Sequence, residues 1–252
     1  MRLDQYLVEK GYFETRNKAK SEINEGHIKI NNKIITKPSF DILGGETIEL
    51  IDVCPYVSRG GYKLLKAINE FNLDFNNKII LDIGSSTGGF SDCAIQNGAK
   101  LVYAVDVGSN QLHESLRNNN KIISMENTNI LDLDIDKLNP FPNILVMDVS
   151  FVSIEYLLPG INRFILDDTL FVCLIKPQFE VGNQKFKNGV IKDRNIHIKV
   201  IENVRNEFNK YGLDIFKLTI SPILGGSGNK EFLALIKRGN NPDLNIIKSI
   251  EG

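Results

Sequence analysis

The sequence predicts an α/β chain in which a small α+β domain precedes a mostly parallel, doubly wound sheet whose last strand runs antiparallel. From about position 60 onward, apolar segments of strand length alternate with helical stretches, which is the pattern of a parallel sheet covered by helices. The last two candidate strands have no helix between them, whereas a parallel crossover needs a dozen residues or more. The first 53 residues carry shorter elements and a different charge pattern.

Size and charge fit this two-domain organisation. The chain has 252 residues, of which 42% are hydrophobic and 24% charged, as in ordinary globular proteins. The formal net charge of −1 gives no global basic field, so a nucleic-acid surface would have to come from local charge.

Cysteine usage and hydropathy predict a cytoplasmic protein. The three cysteines are odd in number and far apart, which argues against a disulfide framework or a zinc site (Cys54, Cys93 and Cys173). The N-terminus has no signal-peptide core, and no run approaches the ~18 apolar residues of a membrane span. The histidines are scattered, so we predict no metal.

Residues 1–53 read as two short helices and a small strand group. Leu3, Tyr6 and Leu7 share one helical face, and a second helix runs from a Thr15 N-cap to Glu25. Residues 27–30 alternate in polarity, Asn31-Asn32 suits a tight turn, and residues 33–35 and 47–50 supply further strands.

Basic residues concentrate in this segment. Residues 16–37 contain six Lys or Arg against two Glu, and residues 38–52 contain four acids and no base. A basic helix followed by a basic hairpin can hold phosphates, although a solvated helix face explains the charge alone equally well. The RNA-binding candidates are Arg2, Arg16, Lys18, Lys20, Lys29, Lys33 and, beyond the segment, Arg59.

The residue order adds specificity to this interpretation. The segments Arg2-Leu3-Asp4-Gln5-Tyr6-Leu7 and Thr15-Arg16-Asn17-Lys18-Ala19-Lys20, followed by Ile23, Gly26, Ile28, Ile30-Asn31 and Lys37-Pro38-Ser39, resemble the small RNA-binding domain named after a small-subunit ribosomal protein. Thr15 stands for the usual Ser and Asn32 for the usual Gly. The resemblance implies structured RNA as a partner.

A short linker is predicted after this domain. Pro55 lacks a backbone donor and biases Cys54 toward extended geometry. We therefore divide the chain into a domain at 1–53, a linker at 54–59 and a second domain at 60–252.

The second domain is predicted to contain a Rossmann-like sheet. A mostly parallel sheet that ends in an antiparallel strand fits methyltransferases better than nicotinamide dehydrogenases. The candidate strands are Lys78–Ile83, Leu101–Asp106, Lys121–Ser124, Ile144–Asp148, Leu170–Ile175, Leu213–Ile220 and Phe232–Lys237.

A glycine-rich turn follows the first of these strands and opens a helix. Glycines let the backbone turn sharply and approach a ligand closely. The segment is neither GxGxxG nor GxxxxGK[ST], so it suits an adenosine with an amino-acid tail, such as S-adenosyl-L-methionine, better than a pyrophosphate. The alternatives are a tight turn that binds no ligand and a turn that binds NAD. Asp82 would meet the ammonium group of the ligand through the loop. The other candidate residues are Gly84, Ser85, Ser86, Gly88, Gly89 and Phe90.

Acidic and polar residues at later strand ends complete the predicted pocket. Asp106 ends the second strand, where a carboxylate accepts hydrogen bonds from ribose hydroxyls. Asn127 or Met125 follows the third strand and would line the adenine pocket. Asp148 ends the fourth strand and would share the same crevice.

Four charged residues form the predicted catalytic group: Lys63, Asp148, Lys176 and Glu231. Asp148 and Lys176 follow neighbouring strands, so their side chains should meet at one edge of the sheet. For any one of the four, a solvated loop residue is the better explanation. The combination in this order is harder to explain that way.

The order Lys–Asp–Lys–Glu resembles ribose 2′-O-methyltransferases of the FtsJ type. With the N-terminal domain and the motifs at 58–61, 87–90, 148–151 and 175–180, the chain is similar to the TlyA family. Members of that family are 2′-O-methyltransferases of cytidines in ribosomal RNA, and some are called haemolysins. The resemblance implies an S-adenosylmethionine-dependent enzyme that acts on ribosomal RNA within ribosomal subunits.

The chemistry assigns a role to each member of the group. Lysine is charged at neutral pH unless burial and a neighbouring like charge favour its neutral form. We predict Lys176 as the base, Lys63 as the neighbouring cation, and Asp148 and Glu231 as the groups that orient both lysines. The basic stretch 182–199 either clamps the RNA backbone or is a solvated loop (Lys185, Lys187, Lys192, Arg194 and Lys199).

Three rival functions remain at this point. The enzyme could methylate a small molecule or a protein and use the first domain as a tether. It could be an inactive RNA-binding scaffold, although the complete group of four argues against this. It could be a membrane-damaging haemolysin, although no segment is long and apolar enough for insertion.

Overall fold

The structure is a computed structural model, and it describes residues 1–51, 53–182 and 189–251. The chain forms two compact units, Met1–Ser58 and Arg59–Gly252. Most of the segment predicted as a linker, 54–59, therefore falls in the first unit. Over the described ranges, we find no helix that is both long and apolar enough to cross a membrane.

The first unit packs two helices on a three-stranded antiparallel sheet of order β2-β1-β3. The Thr15 side chain accepts a hydrogen bond from the Lys18 N–H at 3.2 Å and so caps the second helix, as its sequence position predicts. Asn31 and Asn32 have positive φ and form the hairpin turn. The elements are α1 (Leu3–Glu9), α2 (Arg16–Asn24), β1 (Ile28–Ile30), β2 (Lys33–Ile34) and β3 (Ile48–Leu50).

The second unit contains a seven-stranded sheet. Its strands are β4 (Ile79–Ile83), β5 (Leu101–Val105), β6 (Ile122–Met125), β7 (Ile144–Met147), β8 (Leu170–Ile175), β9 (Leu213–Ile220) and β10 (Phe232–Arg238). They stand in the order β6-β5-β4-β7-β8-β10-β9. The pairs from β6 to β8 are parallel, and β10 is antiparallel to both of its neighbours. The predicted sheet class is confirmed.

Strand order reverses direction between β4 and β7, and ligands bind outside such switch points at the carboxyl edge of the sheet. Because β10 is antiparallel, its first residues lie at that same edge, where Phe232 pairs with Ile175. The helices of this unit are α3 (Gly60–Phe71), α4 (Gly89–Gln96), α5 (Glu114–Arg117), α6 (Ile154–Ile161), α7 (Pro177–Glu180), α8 (Arg194–Asn209) and α9 (Ile246–Ser249).

Candidate active site and cofactor pocket

Four charged side chains from distant parts of the sequence form one connected ion-pair group. Lys176 Nζ lies 2.6 Å from Asp148 Oδ1, and Lys63 Nζ lies 3.5 Å from Asp148 Oδ2. Lys63 Nζ also lies 2.7 Å from Glu231 Oε2. The structure thus brings together the four residues that were predicted to meet.

The group is largely withdrawn from water. Lys63, Lys176 and Glu231 are buried, and the Asp148 side chain is 20% exposed. Buried charges are tolerated when they are paired, and here two cations face two anions. The Asp148 carboxylate contacts both ammonium groups, so it offsets their mutual repulsion.

The segment after Asp148 adds further contacts to Lys176. The Lys176 ammonium donates a hydrogen bond to Ser150 Oγ at 2.8 Å. Phe151 is 90% exposed, has a left-handed backbone (φ 65°), and its ring centre lies 5.0 Å from that of Phe179. A phenylalanine with positive φ is rare, so residue order alone does not predict where this ring points.

A cavity of about 430 Å³ opens beside the ion-pair group, within the size range of small-molecule sites. Four predicted pocket residues line it: Gly84, Ser86, Asp106 and Asp148. Its wall also contains residues without a predicted role, among them Val107, Gln111, Thr128, Asn129, Ser150 and Phe151.

Asp106 ties the glycine-rich turn to the end of β5. One carboxylate oxygen accepts a hydrogen bond from the Ser86 N–H at 2.8 Å, and the other accepts one from the Gly108 N–H at 2.7 Å. An ionised carboxylate has about four acceptor positions, so capacity remains for hydroxyl groups of a ligand.

Close packing at the turn requires glycine. Gly84 has φ 78°, and a Cβ there would lie 2.8 Å from Val149 Cγ1 and 3.1 Å from the Asp148 carbonyl oxygen. A Cβ on Gly88 would lie 2.3 Å from Leu116 Cδ1. The backbone of the turn therefore sits directly against the strand end that carries Asp148.

Asp82 lies beneath this turn, outside the cavity wall. Its side chain is fully buried, and one oxygen accepts a hydrogen bond from the Ser91 hydroxyl at 2.6 Å. Burial, together with smaller contributions from the carboxylates of Asp148 and Asp106, raises the pKa of Asp82 to about 7. Asp82 Oδ1 and Ser85 Oγ are buried without a hydrogen-bond partner among the described residues.

Several residues predicted to contact the cofactor lie outside the cavity wall. The Phe90 side chain is buried within α4, and Ser85, Gly88 and Gly89 do not line the cavity either. Asn127 has φ 55° and donates its N–H to the Gly108 carbonyl, so the next two residues, Thr128 and Asn129, form the wall instead. A single left-handed residue turns the chain, and residue order does not show such a turn.

Comparison with known proteins identifies the second unit. The family model of the FtsJ-like methyltransferases matches residues 56–238. The chain belongs to this family. The S4 domain model matches residues 1–48 of the first unit.

Full-length relatives are similar over nearly the whole chain. Hemolysin A of Brachyspira hyodysenteriae is 42% identical, with 93% of this chain and 98% of the relative covered. The 23S rRNA (cytidine-2′-O)-methyltransferase TlyA of Campylobacter jejuni is 37% identical, with 92% and 97% covered. The solved structure of a hemolysin-named protein from Streptococcus thermophilus has a TM-score of 0.77 at 40% identity and covers 99% of this chain and 92% of that one. The predicted resemblance to TlyA proteins is confirmed.

In the FtsJ-like domain, Glu126 shapes one wall of the cavity. Its carboxylate accepts hydrogen bonds from the Gln111 N–H at 2.6 Å and the Leu112 N–H at 3.1 Å. The hydrogen bond from Leu112, followed by that from Gln111, lowers the pKa of Glu126. Gln111 Nε2 in turn lies 3.4 Å from Asp106 Oδ1. No motif in the sequence indicates this role, because Glu126 acts on the backbone of a distant loop.

In the S4 domain, Asp4 holds two arginines. Arg2 Nε lies 2.9 Å and Arg16 Nη2 lies 2.8 Å from its fully buried carboxylate. The hydrogen bond from Arg2 comes first among the causes that lower the pKa of Asp4 to about 2. Nearly half of each arginine side chain remains exposed, so both guanidinium groups stay accessible.

The other predicted RNA contacts are less uniform. Lys18 Nζ donates to the Tyr56 carbonyl at 2.8 Å and the Cys54 carbonyl at 3.3 Å, and it pairs with Glu22 at 3.1 Å. Lys18 therefore holds the segment 54–56, and its predicted contact with RNA remains a prediction. Lys29 lies 4.0 Å from Glu49. Lys33 is exposed, Lys20 is half-buried, and Arg59 is exposed in the second unit.

The basic stretch 182–199 is described only in part, because Lys185 and Lys187 lie outside the described residues. Lys192, Arg194 and Lys199 are exposed, and Arg194 pairs with Glu251. The roles predicted for this stretch remain predictions.

Glu180 joins α7 to the start of α6. Its carboxylate accepts the Ile154 N–H at 3.1 and 3.3 Å, and burial raises its pKa to about 7. This contact anchors the segment 149–153, which carries Ser150 and Phe151.

The raised pKa of Glu180 predicts a pH-dependent stability. The folded state holds this proton more tightly than the unfolded state does, so the stabilisation is complete below about pH 4.5 and is lost as pH rises through about 7. Glu180→Gln should therefore raise the free energy of unfolding by on the order of 1–2 kcal/mol at pH 8 and change it little at pH 4. Thermal melts at both pH values measure this. The exposed Glu202→Gln is the control, and an equal shift at both pH values would contradict the assignment.

Proposed function

We propose that this protein transfers a methyl group from S-adenosylmethionine to the ribose 2′-hydroxyl of cytidine in ribosomal RNA. The observation that carries the proposal is the buried group of Lys63, Asp148, Lys176 and Glu231 beside the cavity of an FtsJ-like domain. The S4 domain supports an RNA substrate. The ribosomal cytidine follows from the name of the relative from C. jejuni.

The residues of the cavity fit S-adenosylmethionine. Asp106 is placed to accept hydrogen bonds from ribose hydroxyls, and the glycine backbone at 84 allows a ligand to lie against the sheet edge. The apolar Val107 suits the face of an adenine ring, and the polar Thr128 and Asn129 suit its hydrogen-bonding edge. Asp82 Oδ1 and Ser85 Oγ, which have no hydrogen-bond partner in the described part of the chain, offer polar atoms beneath the turn, where the amino-acid end would sit.

In this proposal Lys176 is the general base. Bound S-adenosylmethionine supplies a methyl group on a sulfonium, so that a C–O bond forms to the ribose oxygen while the C–S bond breaks and leaves a neutral thioether. The Lys176 amine takes the proton of the 2′-hydroxyl. Ser150 can serve both states of this amine, because a hydroxyl accepts from an ammonium and donates to a neutral amine.

The remaining members of the group hold Lys176 in place. Asp148 contacts Lys176 and Lys63 at once, and Glu231 satisfies Lys63 from the other side. A base held at a fixed position contributes through both proton transfer and orientation.

Exposed groups on each domain suit an RNA substrate. Phe151 is an exposed aromatic ring next to the ion-pair group, and unstacked bases bind such rings. Arg2 and Arg16 present guanidinium groups that Asp4 orients for phosphates.

Arg16→Ala should weaken binding of ribosomal RNA by about 3–10-fold and reduce the salt dependence of the affinity by about one counterion. The reason is the loss of one cation whose position Asp4 fixes. Filter binding over a range of salt concentrations measures both quantities, with Lys10→Ala in the same domain as the control. An unchanged affinity and salt slope would remove Arg16 from the interface.

Mass-spectrometric mapping of ribose methylation tests the function. Large- and small-subunit RNA from cells lacking the protein is treated with enzyme and cofactor, and new 2′-O-methylcytidine is expected with the wild type and not with Lys176→Met. Transfer of labelled methyl groups only to protein or small molecules would overturn the RNA assignment. Liposome leakage that persists in Lys176→Met, without any methylation of RNA by the wild type, would favour a haemolysin.

A further inference from the structure

Asn229 is a buried amide in the loop between β9 and β10, two residues before Glu231. Its Nδ2 donates to the Gly189 carbonyl at 3.0 Å, and its Oδ1 accepts from the Ile191 N–H at 2.9 Å. The side chain thus acts as donor and acceptor toward one short stretch of backbone. A carboxamide carries a donor and an acceptor on two separate atoms, so it can hold two backbone groups at once.

The stretch that Asn229 holds is also fixed from its other side. Ile191 is buried, and its carbonyl lies 3.2 Å from His197 Nε2. The His197 ring is buried too, and its centre lies 5.3 Å from that of Phe232. Residues 189–191 therefore contact Asn229 directly and Phe232 through His197, and these two residues flank Glu231 in the sequence.

The backbone of Asn229 closes the turn against which Glu231 rests. The Asn229 carbonyl accepts a hydrogen bond from the Gly225 N–H at 2.9 Å. A Cβ on Gly225 would lie 2.3 Å from Glu231 Oε1, so the Gly225 backbone packs directly on that carboxylate. A displacement of Asn229 would therefore shift one wall of the Glu231 site.

We propose that Asn229 is a positioning residue that acts through Glu231. It fixes the loop 221–231 against residues 189–191 and thereby places the Glu231 carboxylate 2.7 Å from Lys63 Nζ. The hydrogen bonds of its side chain go to the backbone of residues 189 and 191, so its effect on catalysis passes through the loop. This inference rests on the proposed function, in which Glu231 supports Lys63.

The test is a double-mutant cycle with Asn229→Ala, Glu231→Gln and the combination of both. RNA methylation is measured at saturating cofactor. Asn229→Ala is expected to lower kcat by about 10–100-fold, because losing two buried hydrogen bonds frees the loop. The double variant should lie within about threefold of Glu231→Gln, since residues that act through one group are not additive. The pH profile of kcat should shift in the same direction in both single variants.

Asn241 supplies a matched control. It lies near the opposite end of the same pair of strands, and its Nδ2 donates to the carbonyls of Ile215 at 3.1 Å and Phe216 at 3.2 Å. Asn241→Ala should lower the melting temperature without lowering kcat. If Asn229→Ala does not fold, Asn229→Asp takes its place, because it keeps the acceptor for Ile191 and replaces the donor for Gly189 with a carboxylate oxygen.

The outcomes distinguish the proposed role of the ion-pair group from the positioning role of Asn229. A normal kcat in Glu231→Gln would contradict the proposed role of the ion-pair group. A reduced kcat in Glu231→Gln with a normal kcat in Asn229→Ala would overturn the positioning role alone. A double variant at least tenfold slower than Glu231→Gln would also overturn it, because independent losses multiply.

Discussion

Lys176→Met is expected to lower kcat for RNA methylation by about 10²–10⁴-fold, the usual contribution of a general base. Methionine has a similar length but no amine to accept the proton. In addition, Asp148 loses its nearest cation, at 2.6 Å, and Ser150 loses a hydrogen-bond partner. Because Lys176 does not appear in the cavity wall, the Kd for S-adenosylhomocysteine should stay within about threefold. Single-turnover methylation and calorimetry measure the two quantities.

Two further variants sharpen this result. Lys176→Arg keeps the positive charge, but a guanidinium cannot lose a proton at any usable pH, so its kcat should be as low as that of Lys176→Met. The exposed Lys210→Met controls for the loss of a surface lysine and should retain full activity. Substantial activity in Lys176→Arg would show that the residue supplies charge only and would exclude it as the base.

Asp106→Ala is expected to raise the Kd for S-adenosylhomocysteine by about 10²-fold. The carboxylate holds the Ser86 and Gly108 N–H groups and lines the cavity, so its removal loosens the turn and takes away the proposed acceptor for ribose hydroxyls. A hydrogen bond to a charged group contributes about 1.5–3 kcal/mol, and about 1.4 kcal/mol corresponds to a tenfold change in Kd.

The control variants separate binding from folding. Asp106→Asn keeps one acceptor oxygen and should lose less affinity than Asp106→Ala, whereas the exposed Asp136→Ala should lose none. Melting curves without ligand show whether the turn still folds. Unchanged affinity in a folded Asp106→Ala protein would show that the ribose of the cofactor does not bind at Asp106.

Those features of the site that depend on strand order were predictable from the sequence. Asp148 and Lys176 follow adjacent parallel strands, so the end of each strand fixes where its side chain emerges. Glu231 begins the last strand, and the order Lys–Asp–Lys–Glu, which resembles that of FtsJ-type enzymes, added it to the group. The two domains and the glycine turn have local signatures that residue order carries directly.

Other features depend on how far a side chain reaches, and residue order does not record that. Lys18 has a long side chain that suits a phosphate or a pair of carbonyl groups equally well, and the structure shows the carbonyls. Asn127 was predicted to line the adenine pocket. Its backbone is left-handed, and Thr128 and Asn129 line the cavity. Asn229 carries no catalytic motif, because its role lies in two bonds to a stretch about 40 residues earlier.

The antiparallel entry of β10 has a consequence for protein synthesis. Lys63, Asp148 and Lys176 all precede Glu231 in the chain and are therefore synthesised before it. A nascent or prematurely terminated chain thus carries its RNA-binding segment long before its set of charged groups is complete. A chain that stops anywhere before Glu231 lacks one carboxylate of the group, however much of the sheet has already been synthesised.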